Sequence, residues 1–483
     1  MGGLLGTLHQ SLRSEIEQHR RARGYTLSKL GDLTGINPGT LSEILNGKPP
    51  RAITISQLDA LAEVFGYEPG WMYELYPDEC LYEGKISRPR LIPYLIRSAE
   101  NGRKDCIEDV ASQLLENPKN ISILFTVAEQ LYEDGKLGKA VPFYEYVIEN
   151  EKDSYSTQFV MSHYRLFQAI LGTNADENEK AVIRFSPYRK RLPETDQLDA
   201  LLNLSKVCFT LQKWSEAETY ADELRGLSKI IYQDKLQKRR KNRTTELIKT
   251  ERPLVYYYGM GYLYKGLVLQ MQGAYSQSKE YVQAYADLHW FELLDDEGIR
   301  IVERFTVFAR ANFYTLEVLM GNEKIIKEYT DYLAEQPVEI LPGLVTIMEA
   351  ANKYHFCVDE VLLRLSGDIA RFHERTMLVN MVQHLQYRYQ KAKYDFTKGR
   401  IESGINETLH CFVLSDLMNR HYDALQCVQL FEKYRHLASP SQILQYQAIV
   451  IGEKKAEATC IDELSDDAST ITKKMISRED EKE

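Results

Sequence analysis

Seven positions within one short stretch carry the most distinctive chemistry of this chain. Asn37, Gly39, Thr40, Ser42 and Glu43 lie together, and Lys48 and Arg51 follow. An amide donates and accepts, a hydroxyl does either, and a carboxylate only accepts. This mixture complements the donors and acceptors on nucleobase edges, and Glu43 can accept from a cytosine amino group. Glycine and small hydroxyl residues let a helix approach such edges closely. Lys48 and Arg51 suit phosphate oxygens. The plainer reading of Asn37 is a helix cap alone, and that of Glu43 is a solvated carboxylate.

The neighbouring residues predict the elements that would position these groups. Thr26 caps a helix over 27–34, and Gly35 makes a turn. Asn37 caps a second helix with Pro38 at its first position, where a missing N–H costs nothing. Gly47 ends it. Leu27, Leu30, Leu33, Ile36, Leu41, Ile44 and Leu45 recur at helical spacing and are expected inside. An amphipathic helix over 8–23 precedes them, with Leu8, Leu12, Ile16 and His19 on one side. Ser56 is expected to cap a fourth helix over 57–65, and Pro69 to open a short fifth through Trp71, Tyr73 and Leu75.

Five helices with this turn after the second resemble the Cro/C1-type (XRE) helix-turn-helix domain. The run Asn46-Gly47-Lys48-Pro49-Pro50-Arg51 is similar to the Asn/Glu-Gly-Lys-x-x-Pro that follows the third helix in that family. The resemblance implies a recognition helix in the major groove of double-stranded DNA, and two half-sites if the protein is a dimer.

The net charge of −10 argues against a generally polyanion-binding surface. It is unevenly spread. Residues 1–66 hold seven Lys/Arg and six Asp/Glu, so the rest of the chain is the acidic part. Arg13, Arg20, Arg21, Arg23, Lys29, Lys48 and Arg51 are the cations available for phosphates. A near-neutral domain grips DNA weakly alone, and pairing two copies would supply the missing affinity. Seven scattered Cys with no CxxC spacing fit no zinc site and suit a reducing cytoplasm. No apolar run is long enough to span a membrane.

Beyond residue 77 the pattern is helical almost throughout, so the chain is expected to be all-α. Pro89, Pro118, Pro187, Pro193, Pro253, Pro337, Pro342 and Pro440 mark expected breaks. A degenerate repeat of helix, tight turn and helix recurs around Gly135, Gln212, Gly273 and Asn419, and more weakly near Thr173-Asn174 and Gly321-Asn322. These units resemble tetratricopeptide (TPR) repeats, which stack into a right-handed solenoid. The organisation read from the sequence is a DNA-binding domain over 1–76, a helical junction over 77–120, a repeat domain over 121–452 and a charged tail over 453–483. In the junction, Pro89 and Pro93 are expected to interrupt and 96–115 to form a helix.

A helix-turn-helix domain followed by TPR-like repeats resembles the RRNPP family of peptide-pheromone receptors, with length and divergence closest to its arbitrium-type members. The resemblance implies a homodimeric regulator whose operator binding is switched by a short signalling peptide in the repeat groove. It also implies asparagines that hold the peptide backbone: Asn203, Asn312, Asn352 and Asn380, with Arg304, Arg310, Tyr262 and Tyr264 beside them. The basic stretch 235–243 runs against the acidic background, as a phosphate contact, an acidic-partner site or a solvated helix extension. No phosphate-cradling loop, HExxH or nucleophile elbow occurs, so neither catalysis nor a cofactor is expected. The competing functional reading is a protein-interaction adaptor or a constitutive repressor that uses the repeats for dimerisation.

Overall fold

Helix caps fix the first elements. The computed structural model describes residues 11–82, 85–241, 250–372 and 378–451. Helix α1 (Leu12–Ala22) is capped by Ser11. Helix α2 (Leu27–Thr34) is capped by Thr26 and closed by Gly35 at φ 71°. Helix α3 (Pro38–Asn46) is capped by Asn37. The Thr26 and Asn37 caps and the Gly35 turn are expected from the residue types, whereas the Ser11 cap is not, and the expected start at Leu8 lies outside the described residues. Helix α4 (Ile55–Val64) starts two residues earlier than expected, because Thr54 rather than Ser56 is its cap. Thr54 wins because Gln57 then falls at the third helical position and returns a hydrogen bond to the Thr54 N–H. The fifth helix expected from Pro69 is instead a 3-10 turn at Tyr73–Leu75 followed by the short α5 (Pro77–Cys80).

A two-residue antiparallel pair, β1 (Leu81–Tyr82) and β2 (Lys85–Ile86), interrupts the helical pattern with Leu81 opposite Ile86. Helix α6 (Arg88–Glu100) then runs through Pro93 instead of breaking there. Leu91, Tyr94 and Leu95, all buried, hold it across the lost hydrogen bond. The helix expected over 96–115 is divided at Gly102, where α6 gives way to α7 (Lys104–Leu115). Helices α8 (Ile121–Glu133), α9 (Leu137–Asn150) and α10 (Thr157–Ile170) follow.

The chain forms two compact units, residues 1–169 and 170–483. The second begins with α11 (Ala175–Phe185), α12 (Glu194–Thr210), α13 (Trp214–Arg240), α14 (Leu254–Met271), α15 (Tyr275–Ala286) and α16 (Asp296–Leu319). It continues with α17 (Ile326–Glu335), α18 (Ile340–Tyr354), α19 (Asp359–Arg364), α20 (Ser366–Ile369), α21 (Leu378–Thr397), α22 (Ile401–Leu417), α23 (His421–Tyr434) and α24 (Pro440–Ile451). The turns at the four places where repeats are expected, the Gly135 turn in the first unit and the other three in the second, each join two packed helices. Each carries a left-handed residue at the expected position: Gly135, Gln212, Gly273 and Asn419. Alternate helices also stack, α12 on α14, α14 on α16 and α16 on α18. Helix α14 is the most enclosed. A Cβ at Gly259 would meet the Phe305 ring of α16 at 2.3 Å, so only glycine permits that approach. The charged tail over 453–483 lies outside the described residues.

The second unit also closes on itself. The Ala175 N–H donates to the Met418 carbonyl at 3.1 Å. Arg420 donates to the Thr210 carbonyl at 2.7 Å and pairs with Asp423. His421 lies 3.4 Å from Asp176. The turn before α23 therefore docks on the start of α11 and the end of α12.

The abundance of tyrosine has a packing reason. Tyr rings fill the spaces between helices while their hydroxyls bond the next helix. Tyr332 donates to the Val307 carbonyl at 2.7 Å, Tyr354 to the Leu319 carbonyl at 2.8 Å and Tyr314 to Glu328 at 2.7 Å. Tyr257 donates to Asp199, and both are buried. Burial, opposed by that hydrogen bond and helped by Glu251 and Asp196, raises the Asp199 carboxyl to about 7. The folded protein thus keeps a proton that the unfolded chain releases above its ordinary carboxylate range. Stability contributed by the protonated acid is lost as pH rises from about 4 to about 7. Asp199→Asn should raise the melting temperature at pH 8 and flatten its fall between pH 5 and 8. The gain at pH 8 should be on the order of 1–3 kcal/mol. Equal pH slopes for the two proteins would refute this assignment.

Candidate functional site

The recognition hairpin is set by a close approach that the sequence reading passed over. At Gly31 on α2 an added Cβ would meet the Ile36 carbonyl oxygen at 2.7 Å and the Pro38 ring at 2.9 Å. Any larger residue would push α3 away from α2. Leu30, Ile36, Leu41 and Ile44 are buried as expected, and Leu27 and Leu45 are half-buried. Leu33 is the exception, at 44% exposed. It lies one turn after Leu30 but on the outer edge of an eight-residue helix.

The expected base-facing residues come together on the outer side of α3. Asn37, Gly39 and Glu43 are exposed, and Thr40 and Ser42 are half-buried. The Asn37 Oδ1 accepts from the Gly39 N–H at 2.8 Å, so the carboxamide caps the helix and its Nδ2 remains a donor. The Thr40 and Ser42 hydroxyls make no hydrogen bond within the described residues. Glu43 is paired with Arg51 at 2.9 Å, both exposed. The Arg51 N–H also donates to the Glu43 carbonyl at 3.0 Å, which folds the post-helix turn back on α3.

Most cations expected to serve phosphates are engaged internally. Arg20 and Arg21 share Glu17, at 2.7 and 2.6 Å, and Arg20 first among causes lowers the Glu17 carboxyl to about 2. Arg23 donates to the Phe65 carbonyl and lies over the Phe65 and Tyr67 rings. His19 sits in the same aromatic cluster, edge-on to Tyr67 and Trp71.

Arg13 departs furthest from its expected role. Its guanidinium grips Glu79 through two hydrogen bonds of 2.5 and 2.9 Å. It also donates to the carbonyls of Ile44 and Arg51 at 3.0 and 3.3 Å. Glu79 in turn accepts from the Ile53 N–H at 3.2 Å. Arg13 is therefore a strut under the recognition helix. Lys29 and Lys48 are exposed and have no ion pair among the described residues.

The residues expected to contact a peptide all lie in the second unit. Asn312 donates to the Tyr285 hydroxyl at 2.6 Å. Asn352 donates to the Gln390 carbonyl and side chain at 2.8 and 2.9 Å, while its own Oδ1 is buried without a partner. Asn203 and Asn380 are half-buried, and their amides make no hydrogen bond within the described residues. Arg304 is exposed over Phe308, and Arg310 is exposed over Tyr314 and Tyr332. Tyr264 is buried edge-on to Phe209 of α12, whereas Tyr262 turns towards Arg225 of α13 and Tyr281 of α15.

Two variants test the site. Glu79 is nearly fully buried, so Glu79→Ala strands the Arg13 charge and should cost roughly 3 kcal/mol in thermal unfolding. The pair Arg13→Met with Glu79→Met should cost less than the sum of its singles, and strict additivity would deny the coupling. Asn37→Ser keeps a capping oxygen and removes only the amide donor. It should leave the melting temperature within a degree or two and weaken specific DNA binding about tenfold. Unchanged binding would reduce Asn37 to a cap.

A helix-turn-helix family model matches residues 16–72, which span α2, α3 and the elements around them. No curated protein matches the chain. With the geometry of α2 and α3, the match identifies a helix-turn-helix domain of XRE type at the N-terminus of an all-α protein, the mark of a DNA-binding transcription regulator.

Proposed function

We propose that this chain is a homodimeric, cytoplasmic transcription regulator of the RRNPP type, switched by a short signalling peptide held by the TPR-like array of its second unit. The observation that carries the reading is the pairing of a DNA-reading hairpin with stacked helical hairpins whose asparagines keep unused hydrogen-bonding capacity. The amides of Asn203 and Asn380, and the Oδ1 of Asn352, have no partner among the described residues. A carboxamide can donate and accept at once, which matches an extended peptide backbone independently of its sequence. Dimerisation is supported by exposed apolar side chains along the last helices, Leu417, Tyr422, Leu425, Leu444, Val450 and Ile451. The same surface favours the second reading, an adaptor that docks a protein partner there.

The switch acts only through a difference in peptide affinity between two shapes of the array. The test uses DNA from upstream of the protein's own gene and synthetic peptides encoded beside that gene. One peptide should raise the melting temperature and change the gel shift. Asn203→Ala and Asn380→Ala should at least halve that thermal shift and leave peptide-free DNA binding intact. DNA binding that no such peptide alters would hand the array to dimerisation or to a protein partner.

A further inference from the structure

We propose that the basic end of α13 is a second DNA contact, gripping phosphates that flank the sequence read by α3. The inference rests on the DNA-binding reading of the N-terminal domain. It starts from a shortage. In that domain Arg13, Arg20, Arg21 and Arg51 are paired with carboxylates and Arg23 donates to the Phe65 carbonyl, which leaves Lys29 and Lys48 of the expected cations with no ion pair among the described residues. Two phosphate contacts supply little of the electrostatic affinity that DNA binding draws on.

The missing charge is concentrated elsewhere in the chain. Lys235, Lys238, Arg239, Arg240 and Lys241 fall within seven residues at the end of α13. Two carboxylates face them, Asp234 on Lys238 at 2.6 Å and Glu292 on Arg240 at 3.6 Å. Among the described residues five cations meet two anions, a surplus of three, with Lys235 half-buried. The helix dipole accounts for cations in the last turn, Lys238 to Arg240. It does not account for Lys235, a turn earlier, or for Lys241 beyond the end. Lys235, Lys238 and Arg239 share one helix face by their spacing. One cation of the patch is also held in place in advance. Arg239 donates to the Glu292 carbonyl at 2.8 Å, and the Glu292 N–H is bonded to the Tyr232 hydroxyl at 3.2 Å. Cations held in place before binding lose less entropy on meeting a regular array of phosphates.

The experiment compares full-length protein with the variant Lys235→Gln/Lys238→Gln/Arg240→Gln/Lys241→Gln. Arg239 is kept because it bonds the Glu292 carbonyl, and glutamine preserves the helix. Each protein is titrated at several salt concentrations against two duplexes from upstream of its own gene. One is the footprinted core of about 20 base pairs, and the other is the same core within about 60 base pairs. We expect the wild type to bind the longer duplex at least tenfold more tightly at low salt. Its salt dependence there should be steeper by about two counterions. The variant should lose both excesses and match the wild type on the core. A wild type that binds both lengths alike, or a variant weakened equally on both, overturns the flanking contact. A wild type that binds neither duplex removes the DNA-binding reading and this inference with it.

Discussion

The Arg13–Glu79 bridge, buried at its carboxylate, is the constraint on which the DNA-reading end of the molecule depends. A planar guanidinium with five donors can satisfy a carboxylate and two carbonyls at once, which a lysine cannot. Here it holds α1, the end of α3, the turn after it and the short α5 in one hydrogen-bonded knot. Glu79 lies beyond residue 72, where the helix-turn-helix match ends. The domain is thus completed by residues that its own family pattern does not include. The tie continues into α6 and α7. Tyr94 donates to the Tyr73 carbonyl at 2.9 Å, Arg97 pairs with Asp59 at 2.9 Å, and Arg103 bonds the Gly70 carbonyl and Glu74. These helices brace the reading domain directly, in the stretch the sequence suggested as a junction.

In the second unit the same need, satisfying polar groups between closely packed helices, is met mostly by tyrosine. One network is ionic instead. Asp395 is fully buried and takes Lys391 at 2.6 Å, Arg400 at 3.3 Å and Ser403 at 2.7 Å. Glu407 beside it takes Arg388 and Lys391. Such a network costs desolvation and repays it only when every member is satisfied. It fixes the register of α21 against α22, because sliding by one turn would strand a charge.

Local chemistry was legible in the sequence wherever one residue decides the outcome. Caps at Thr26 and Asn37 and the turn at Gly35 could be read from residue type, and so could the tight turns at Gly135, Gly273 and Asn419, while Gln212 takes the left-handed conformation without a residue type that favours it. Prolines marked helix starts for the same reason: Pro193 and Pro253 cap α12 and α14, and Pro440 opens α24. What could not be read depends on distant partners. Arg13 looked like a free cation because Glu79 is 66 residues away. Thr54 and Ser56 are equally good caps until Gln57 is placed. Pro93 reads as a breaker because its spacing says nothing of the packing that keeps α6 intact. The residues expected to face DNA could be gathered from one short segment. The distances among the peptide-facing candidates depend on how helices stack, which composition does not reveal.

The seam between residues 175–176 and 418–421 changes what kind of object the second unit is. In an open array of helical hairpins each unit leans only on its neighbours, so the terminal ones fray and a loss in the middle leaves two independent pieces. Joining the turn before α23 to α11 and α12 ties the two ends of the path together and leaves α24 beyond the seam. Every hairpin gains a second route of support around the closed path. Damage to one interface is then shared by the others, and the array melts as one cooperative body instead of unzipping from its tips.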